Sequence, residues 1–393
     1  MRWFTCTPIA FGGGADFFAR DSGLMCRGLQ MLGVACHAVM PGEATADDET
    51  DLIRTDYANL ESPEWWRSQD LDGVVLYAWG RPRFRKVAAA IRQAGVFLVL
   101  NQDNGGLVSP LAGFRGWLME QWIMTGRGRN LRCWISFLKL FARGLSLGLV
   151  VTDPLRAHHL KQGDVIACVS PAAAGHYRRL CGVYGGRRLA KRVEMLPHPV
   201  EPTFALVECA EPKSRQVVCV GRWQDHLQKR PLLMQAVLQA LLEKDPTVQV
   251  EIIGTITSDL ERWQQSLHLD LQNRVHLRGR VGRDLLATIL RHSQVFYSPS
   301  AYESFGIAAG EALCCGCSVV AKHSVSMATF DWFVSHDSGR LAASDDTEGH
   351  LQALEQELDC WEQGHRNPSA ISDSWCALLH ANRVAEKVLS FKA

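Results

Sequence analysis

The chain of 393 residues carries 42 Lys and Arg against 41 Asp and Glu, a formal charge of +1, and 47% of it is apolar. That length suits two domains of ordinary size, each with its own core. The balanced charge excludes a global field for holding nucleic acid, and no uncharged apolar run approaches the ~20 residues a spanning helix needs.

Met1 to Phe11 leads at once into Gly12-Gly13-Gly14, so no secretion signal is expected. The 13 cysteines are odd in number and scattered, and Cys6, Cys168 and Cys219 sit inside apolar patterns. They read as reduced, buried thiols of a cytoplasmic protein. Cys314-Cys315-x-Cys317 has no second pair nearby and reads as small residues packing at a helix end.

In chain order, Arg2 to Thr7 reads as a buried strand, Pro8 to Gly14 as a glycine-rich loop, and Ala15 to Leu32 as one helix stopped by Gly33. Ala35 to Met40 is a second strand. This order opens a nucleotide-fold domain, without a G-x-G-x-x-G fingerprint. Asp47-Asp48-Glu49-x-Asp51 lacks a flanking apolar strand and reads as a solvated loop. Asp72 to Trp79 is a strand, Pro82 to Ala94 a helix, and Val96 to Leu100 a strand running into Asn101-Gln102-Asp103-Asn104-Gly105-Gly106. Polar groups at the carboxyl end of a buried strand point into the crevice where open sheets bind ligands. Asp103 also reads as an Asx turn before Gly105.

Phe114 to Leu149 interleaves Trp117, Trp122, Trp134, Phe137 and Phe141 with Arg115, Arg127, Arg129, Arg132, Lys139 and Arg143, against Glu120 alone. The pattern suits peripheral contact of 114–149 with a membrane, or an acceptor bearing phosphate. It also describes ordinary helices with a core side and solvated cations, and that is the expectation taken forward.

Asp164 to Ser170 is a strand, Ala172 to Leu180 a helix, and Val193 to Leu196 a strand before Pro197-His198-Pro199-Val200. His198 reads as a structural linker residue. In the second half, Gln216 to Val220 is a strand, Leu232 to Lys244 a helix, and Val248 to Ile253 a strand. A short strand ends at Gly279, Asp284 to His292 is a helix, and Trp375 to Leu389 is a final helix.

The most informative stretch is Ser298 to Ala321. The apolar segment Val295 to Tyr297 reads as a strand that Ser298-Pro299-Ser300 breaks. Phe305 to Cys315 reads as a helix, and Ser318 to Ala321 as another strand. The first helical amides, near Phe305, Gly306 and Ile307, have no partners within the helix and form an anion-accepting end. Glu303 and Glu311 share a face if both lie in one helical frame. Carboxylates there would repel phosphate, so their natural partners are sugar hydroxyls.

Glu303-x7-Glu311, within S-P-S-x-x-E-S-F-G-x-x-x-x-E-A-L-x-x-G, resembles the signature of retaining glycosyltransferases of family 4. The resemblance implies an α/β GT-B fold of two Rossmann-like parallel-sheet domains facing a central cleft. Residues 1–199, joined by a C-terminal helix 375–393 that crosses back, would bind the acceptor. Residues 200–374 would bind the nucleotide sugar. Gly221-Arg222, a loop, Lys229 and a helix resemble the family's second mark, and two fixed cations there suit a diphosphate leaving group.

The resemblance further implies that Gly13 and Gly14 lie under the donor diphosphate, although their loop also reads as a tight turn alone. Asp103 would face the transferred sugar, Arg280 and Val281 would hold the base, and Ser304, Phe305, Gly306 and Ile307 would line the donor. Glu303 would bind the sugar and Glu311 the ribose. The implied reaction moves a hexosyl unit from a nucleotide diphosphate sugar to a glycan, lipid-linked or small acceptor. It proceeds with retention and without metal or cofactor, in the cytoplasm or peripherally on the inner face of its membrane. Pro197-His198-Pro199, where the family has P-N-G, keeps open an alternative: a catalytically silent nucleotide-sugar-binding scaffold.

Overall fold

The computed structural model describes residues 1–207, 212–325 and 328–392. Cys209 and the last residue of the expected C-terminal helix fall outside them. The chain forms two compact units, Met1–Glu201 with Leu378–Ala393, and Pro202–Ala377.

The first unit is built on a seven-stranded sheet in the order β3-β2-β1-β4-β5-β6-β7. Its strands are β1 Arg2–Cys6, β2 Ala35–Pro41, β3 Leu52–Thr55, β4 Gly73–Tyr77, β5 Phe97–Gln102, β6 Val165–Cys168 and β7 Val193–Met195. Every pairing is parallel. Alternate residues therefore feed two cores. Trp3, Val75 and Val99 meet Met25 and Leu29 of the helix Asp21–Met31 on one face, and Phe4, Val74 and Leu98 meet Val87 and Ile91 of the helix Arg85–Gln93 on the other. Strands covered on both faces are near-continuous apolar runs, and that made most of them readable.

Four readings of this unit need correction. The acidic run is followed by a strand after all, the edge strand β3, and Asp48 is held by Arg54 through Nε at 2.9 Å and Nη2 at 2.7 Å. The helix expected over Ala15 to Leu32 is two, Ala15–Phe18 and Asp21–Met31, broken where Asp21 takes a left-handed φ of 47°. The final helix is also two, Pro368–Leu379 and Ala381–Ser390, with His380 between them bridged to Val200. The second of these packs Val384, Ala385 and Val388 into the first unit's core, so the chain does return to it.

The fourth correction concerns Phe114 to Leu149. The helices Phe114–Met124 and Leu131–Arg143 form an antiparallel hairpin, and the second continues as a π-helix over Gly144–Thr152. Neither Leu131–Arg143 nor Gly144–Thr152 has a buried residue. The expected core side is absent because only one narrow seam of this helix touches protein.

The second unit has a six-stranded parallel sheet in the order β10-β9-β8-β11-β12-β13. The strands are β8 Ser214–Arg222, β9 Gln249–Thr255, β10 Val275–Gly279, β11 Ser293–Tyr297, β12 Ser318–Lys322 and β13 Gly339–Ala342. Cys314, Cys315 and Cys317 are buried and unbridged. Strand order reverses between β8 and β11, and the loops leaving their carboxyl ends flank the crevice that open α/β sheets use for ligands.

Candidate active site

In the second unit, two loops carry the expected cations and the first carboxylate. Arg222 closes β8 and is exposed, and its Nη2 donates to Gln228 Oε1 at 3.2 Å. Gln228 Nε2 donates in turn to Glu303 Oε2 at 3.2 Å and to the carbonyl of Tyr302 at 3.2 Å. The Lys229 ammonium is paired with Glu303 Oε1. Arg222, Gln228, Lys229 and Glu303 are thus one hydrogen-bonded chain across the loops after β8 and β11. The first loop borders an open concavity of about 510 Å³ lined by Arg222, Gln224, Asp225, His226 and Leu227. Gln228, which joins the two loops, was not foreseen. A polar residue beside Lys229 was the signal for it.

The loop after β8 is itself pinned. Arg230, left-handed at φ 52°, caps the helix Pro231–Lys244 and pairs with Asp345. Lys322 pairs with the same carboxylate, and His350 Nε2 lies 3.7 Å from it. Burial opposes the charge on Asp345, but these partners outweigh it and hold the carboxyl far below its ordinary range.

The second carboxylate has a different partner. The helix begins at Ile307, not Phe305, because Gly306 is its N-cap at φ 81°, a left-handed conformation that suits glycine. Glu303 therefore lies outside the helical frame, and the two glutamates do not share a helix face. Glu311, almost fully buried, lies 2.9 Å from Nη1 of Arg283. Arg283 opens the helix Arg283–His292 and also stacks 4.6 Å over the ring of Phe204. Arg283 was missed by sequence reading. Its neighbours Arg280 and Val281 occupy the loop after β10, with Arg280 exposed and Val281 half-buried.

Of the remaining donor-lining residues, Phe305 is buried against Phe333, with ring centroids 5.2 Å apart. The Ser304 and Glu303 carbonyls both accept from the Thr329 hydroxyl, at 2.8 and 3.0 Å. The first helical residue is Ile307, the last of the three whose amides were expected at the helix start, with Gly306 as the N-cap. Ala309 N already donates to the Gly306 carbonyl at 2.9 Å.

In the first unit, Asp103 follows β5 and accepts from Trp79 Nε1 at 3.2 Å. The Asx turn falls instead to Asn104, whose Oδ1 accepts from Gly106 N at 2.9 Å. His198, given only a linker role above, lies with Nε2 2.6 Å from Asp103 Oδ1 and Nδ1 3.5 Å from Asp21 Oδ1. Burial opposes charge on both groups. On Asp103 it is overcome by His198 and Trp79, so the carboxyl titrates below its ordinary value. On His198 it is overcome by Asp103, then by Asp21, so the imidazole titrates above its own. Asp21, Asp103 and His198 have ligand atoms within 4.8 Å of one another, a spacing that a metal ion would also accept. Gly13 has a packing reason to be glycine. A Cβ there would fall 2.2 Å from Leu52 Cδ2 and 2.3 Å from Asp48 Oδ1, and one on Gly14 3.1 Å from the Asp47 carbonyl.

Residues 214–359 match the family model described as Glycosyl transferases group 1. That segment contains Arg222, Lys229, Glu303 and Glu311. Solved structures share the fold over nearly the whole chain. A lipopolysaccharide outer core galactosyltransferase, WaaB, in its apo form aligns with a TM-score of 0.63 at 12% identity, covering 100% of this chain and 99% of that one. A glycosyltransferase from Rickettsia africae aligns at 0.64 and 12%, covering 100% and 97%. Anabaena Alr3699/HepE in complex with UDP and glucose aligns at 0.58 and 14%, covering 99% and 98%. No curated protein matches. Family match and shared fold together support a GT-B glycosyltransferase.

Proposed function

We propose that the chain transfers a hexosyl unit from a nucleoside diphosphate sugar to an acceptor, with retention of anomeric configuration and without a metal ion. The observation that carries the reading is the Arg222–Gln228–Glu303–Lys229 chain at the strand-order reversal of the second sheet. It sets a sugar-binding carboxylate beside two cations without leaving its charge uncompensated. A pyrophosphate can then approach Arg222, Lys229 and the amides from Ile307 onward without meeting a bare carboxylate. Glu311, neutralised by Arg283, takes the ribose hydroxyls. The loop of Arg280 and Val281 takes the base. Within the first unit, Asp103, held by His198, is the reading's acceptor for a hydroxyl of the transferred sugar.

In the proposed step the acceptor oxygen bonds to the anomeric carbon while the bond from that carbon to the phosphate oxygen breaks. The departing phosphate takes the acceptor proton. Arg222 and Lys229 stabilise the charge that grows on it, the role a divalent cation has elsewhere. UDP-glucose, which is bound in a solved structure of Alr3699/HepE, is the first candidate to try. The deciding experiment is a thermal-shift panel of nucleoside diphosphates and their sugars, followed by donor turnover in the presence of a chelator and by NMR of the product anomer. Stabilisation by donor with no hydrolysis or transfer would favour the silent scaffold instead. No stabilisation by any of them would end the reading.

A further inference from the structure

The segment Leu131–Leu160 is one continuous helical run, long and apolar enough by length and composition to cross a membrane, and none of its apolar window is buried. Among the described residues, more than half of the exposed large apolar side chains fall between residues 111 and 155. Monomeric proteins seldom leave so much contiguous apolar surface to water without a partner for it.

The helix Leu131–Arg143 has three distinct stripes. Cys133, Phe137 and Phe141, at i, i+4 and i+8, are half-buried and face the hairpin's first arm. Trp117 meets Phe141 at 6.0 Å between centroids, and Trp122 meets Trp134 at 4.7 Å and Phe137 at 5.2 Å. Leu131, Trp134, Ile135 and Leu138, at i, i+3, i+4 and i+7, form an exposed apolar stripe. Arg132, Lys139 and Arg143 form an exposed cationic stripe beside it. Arg115 and Arg129 are exposed as well, and the hairpin's one acid, Glu120, is buried away from solvent.

We propose that the 114–152 hairpin seats the protein on a bilayer surface bearing anionic lipid, lying among the headgroups rather than crossing the membrane. An apolar stripe flanked by cations is the arrangement an interfacial helix needs. Crossing is ruled out by connectivity. The first arm starts from residues 110–112, which pack on the helix Pro171–Ala190, and the second ends in Asp153–Leu160, buried in the same unit. Both ends of the hairpin thus return to one side. A symmetric pairing of two hairpins would set cations against cations with no acid to answer them. The proposal is independent of the transfer reading, because no hairpin residue belongs to the candidate site.

The test is flotation of the purified full chain with vesicles of phosphatidylcholine containing about 30% phosphatidylglycerol at low salt. The chain is expected to float with these vesicles. Binding should fall at least about tenfold on pure phosphatidylcholine or in about 0.5 M salt. The triple variant Leu131→Gln, Ile135→Gln, Leu138→Gln should lose binding at every salt concentration. Arg132→Gln, Lys139→Gln, Arg143→Gln should lose only the salt-sensitive part. All these side chains are exposed, so melting curves should not move, and that separates lost docking from misfolding. Absence of flotation at low salt, or binding that both variants retain, overturns the proposal. So does light scattering that shows a dimer abolished by the apolar variant when no vesicle is bound.

Discussion

His198 Nε2 lies 2.6 Å from Asp103 Oδ1, although 95 residues separate them. Each group moves the other's titration, the carboxyl down from 3.8 and the imidazole up from 6.5. The sign follows from linkage. Stability held by the depressed Asp103 is present above the ordinary carboxyl value and lost as pH falls through its lowered one. Stability held by the raised His198 is present below 6.5 and lost as pH rises through its raised value. The pair should therefore stabilise most between these limits. His198→Gln should cost about 3 kcal/mol near pH 6, and the difference from wild type should shrink toward pH 9. Unfolding curves across pH would measure it, and a pH-independent difference would show that the pair is not ionic.

Arg222 and Lys229 allow a sharper separation. Arg222 is exposed and joined to its loop by a hydrogen bond to the uncharged Gln228 amide and a loose 3.8 Å approach to Asp225, whereas Lys229 is bound to Glu303. Arg222→Ala should leave the melting temperature within about 2 °C and lower donor turnover at least ~100-fold. Lys229→Ala should lower both, because it strands a largely buried carboxylate. Adding Glu303→Gln to Lys229→Ala should restore stability but not turnover. Unchanged turnover in Arg222→Ala would remove the leaving-group assignment.

What the sequence disclosed and what it hid divide along a physical line. The strands were legible because runs such as Gly73–Tyr77 and Val295 to Tyr297 are buried on both faces, which leaves no charged residue in the pattern. Loop residues such as Arg222, Lys229 and Glu303 were singled out by their resemblance to the family 4 motifs, and the strands before them fixed only which loop each occupies. The partners were not. His198 with Asp103 and Arg283 with Glu311 meet only through tertiary packing, and no local rule brings them together. The breaks at Asp21 and His380 carry neither glycine nor proline. The hairpin was misjudged because an apolar stripe at helical spacing looks the same whether it faces a core or an interface.

The Arg283–Glu311 pair should behave as a unit. Glu311 is nearly fully buried, while Arg283 is about one-third exposed on its side chain. Arg283→Ala removes the cation beside a buried carboxylate and should destabilise the chain by about 3 kcal/mol. The double variant Arg283→Ala, Glu311→Gln should recover most of that. Both should lose the thermal shift produced by a nucleoside diphosphate if Glu311 holds the ribose. A retained shift in the double variant would place the ribose elsewhere.

Glu120 offers a test that does not involve the site. It is buried in the hairpin's first arm, its Oε2 has no hydrogen-bond partner among the described residues, and burial pushes its carboxyl up to about 8. The folded chain therefore keeps a proton between 4.5 and about 8 that the unfolded chain releases. Stability from this group is full below 4.5 and drains away as pH rises toward 8. The slope for one such group is at most about 1.4 kcal/mol per pH unit. Glu120→Gln cannot ionise, so it should match wild type near pH 5 and exceed it increasingly toward pH 8. Parallel melting temperatures for the two proteins over that range would mean the carboxyl is hydrated or paired in solution.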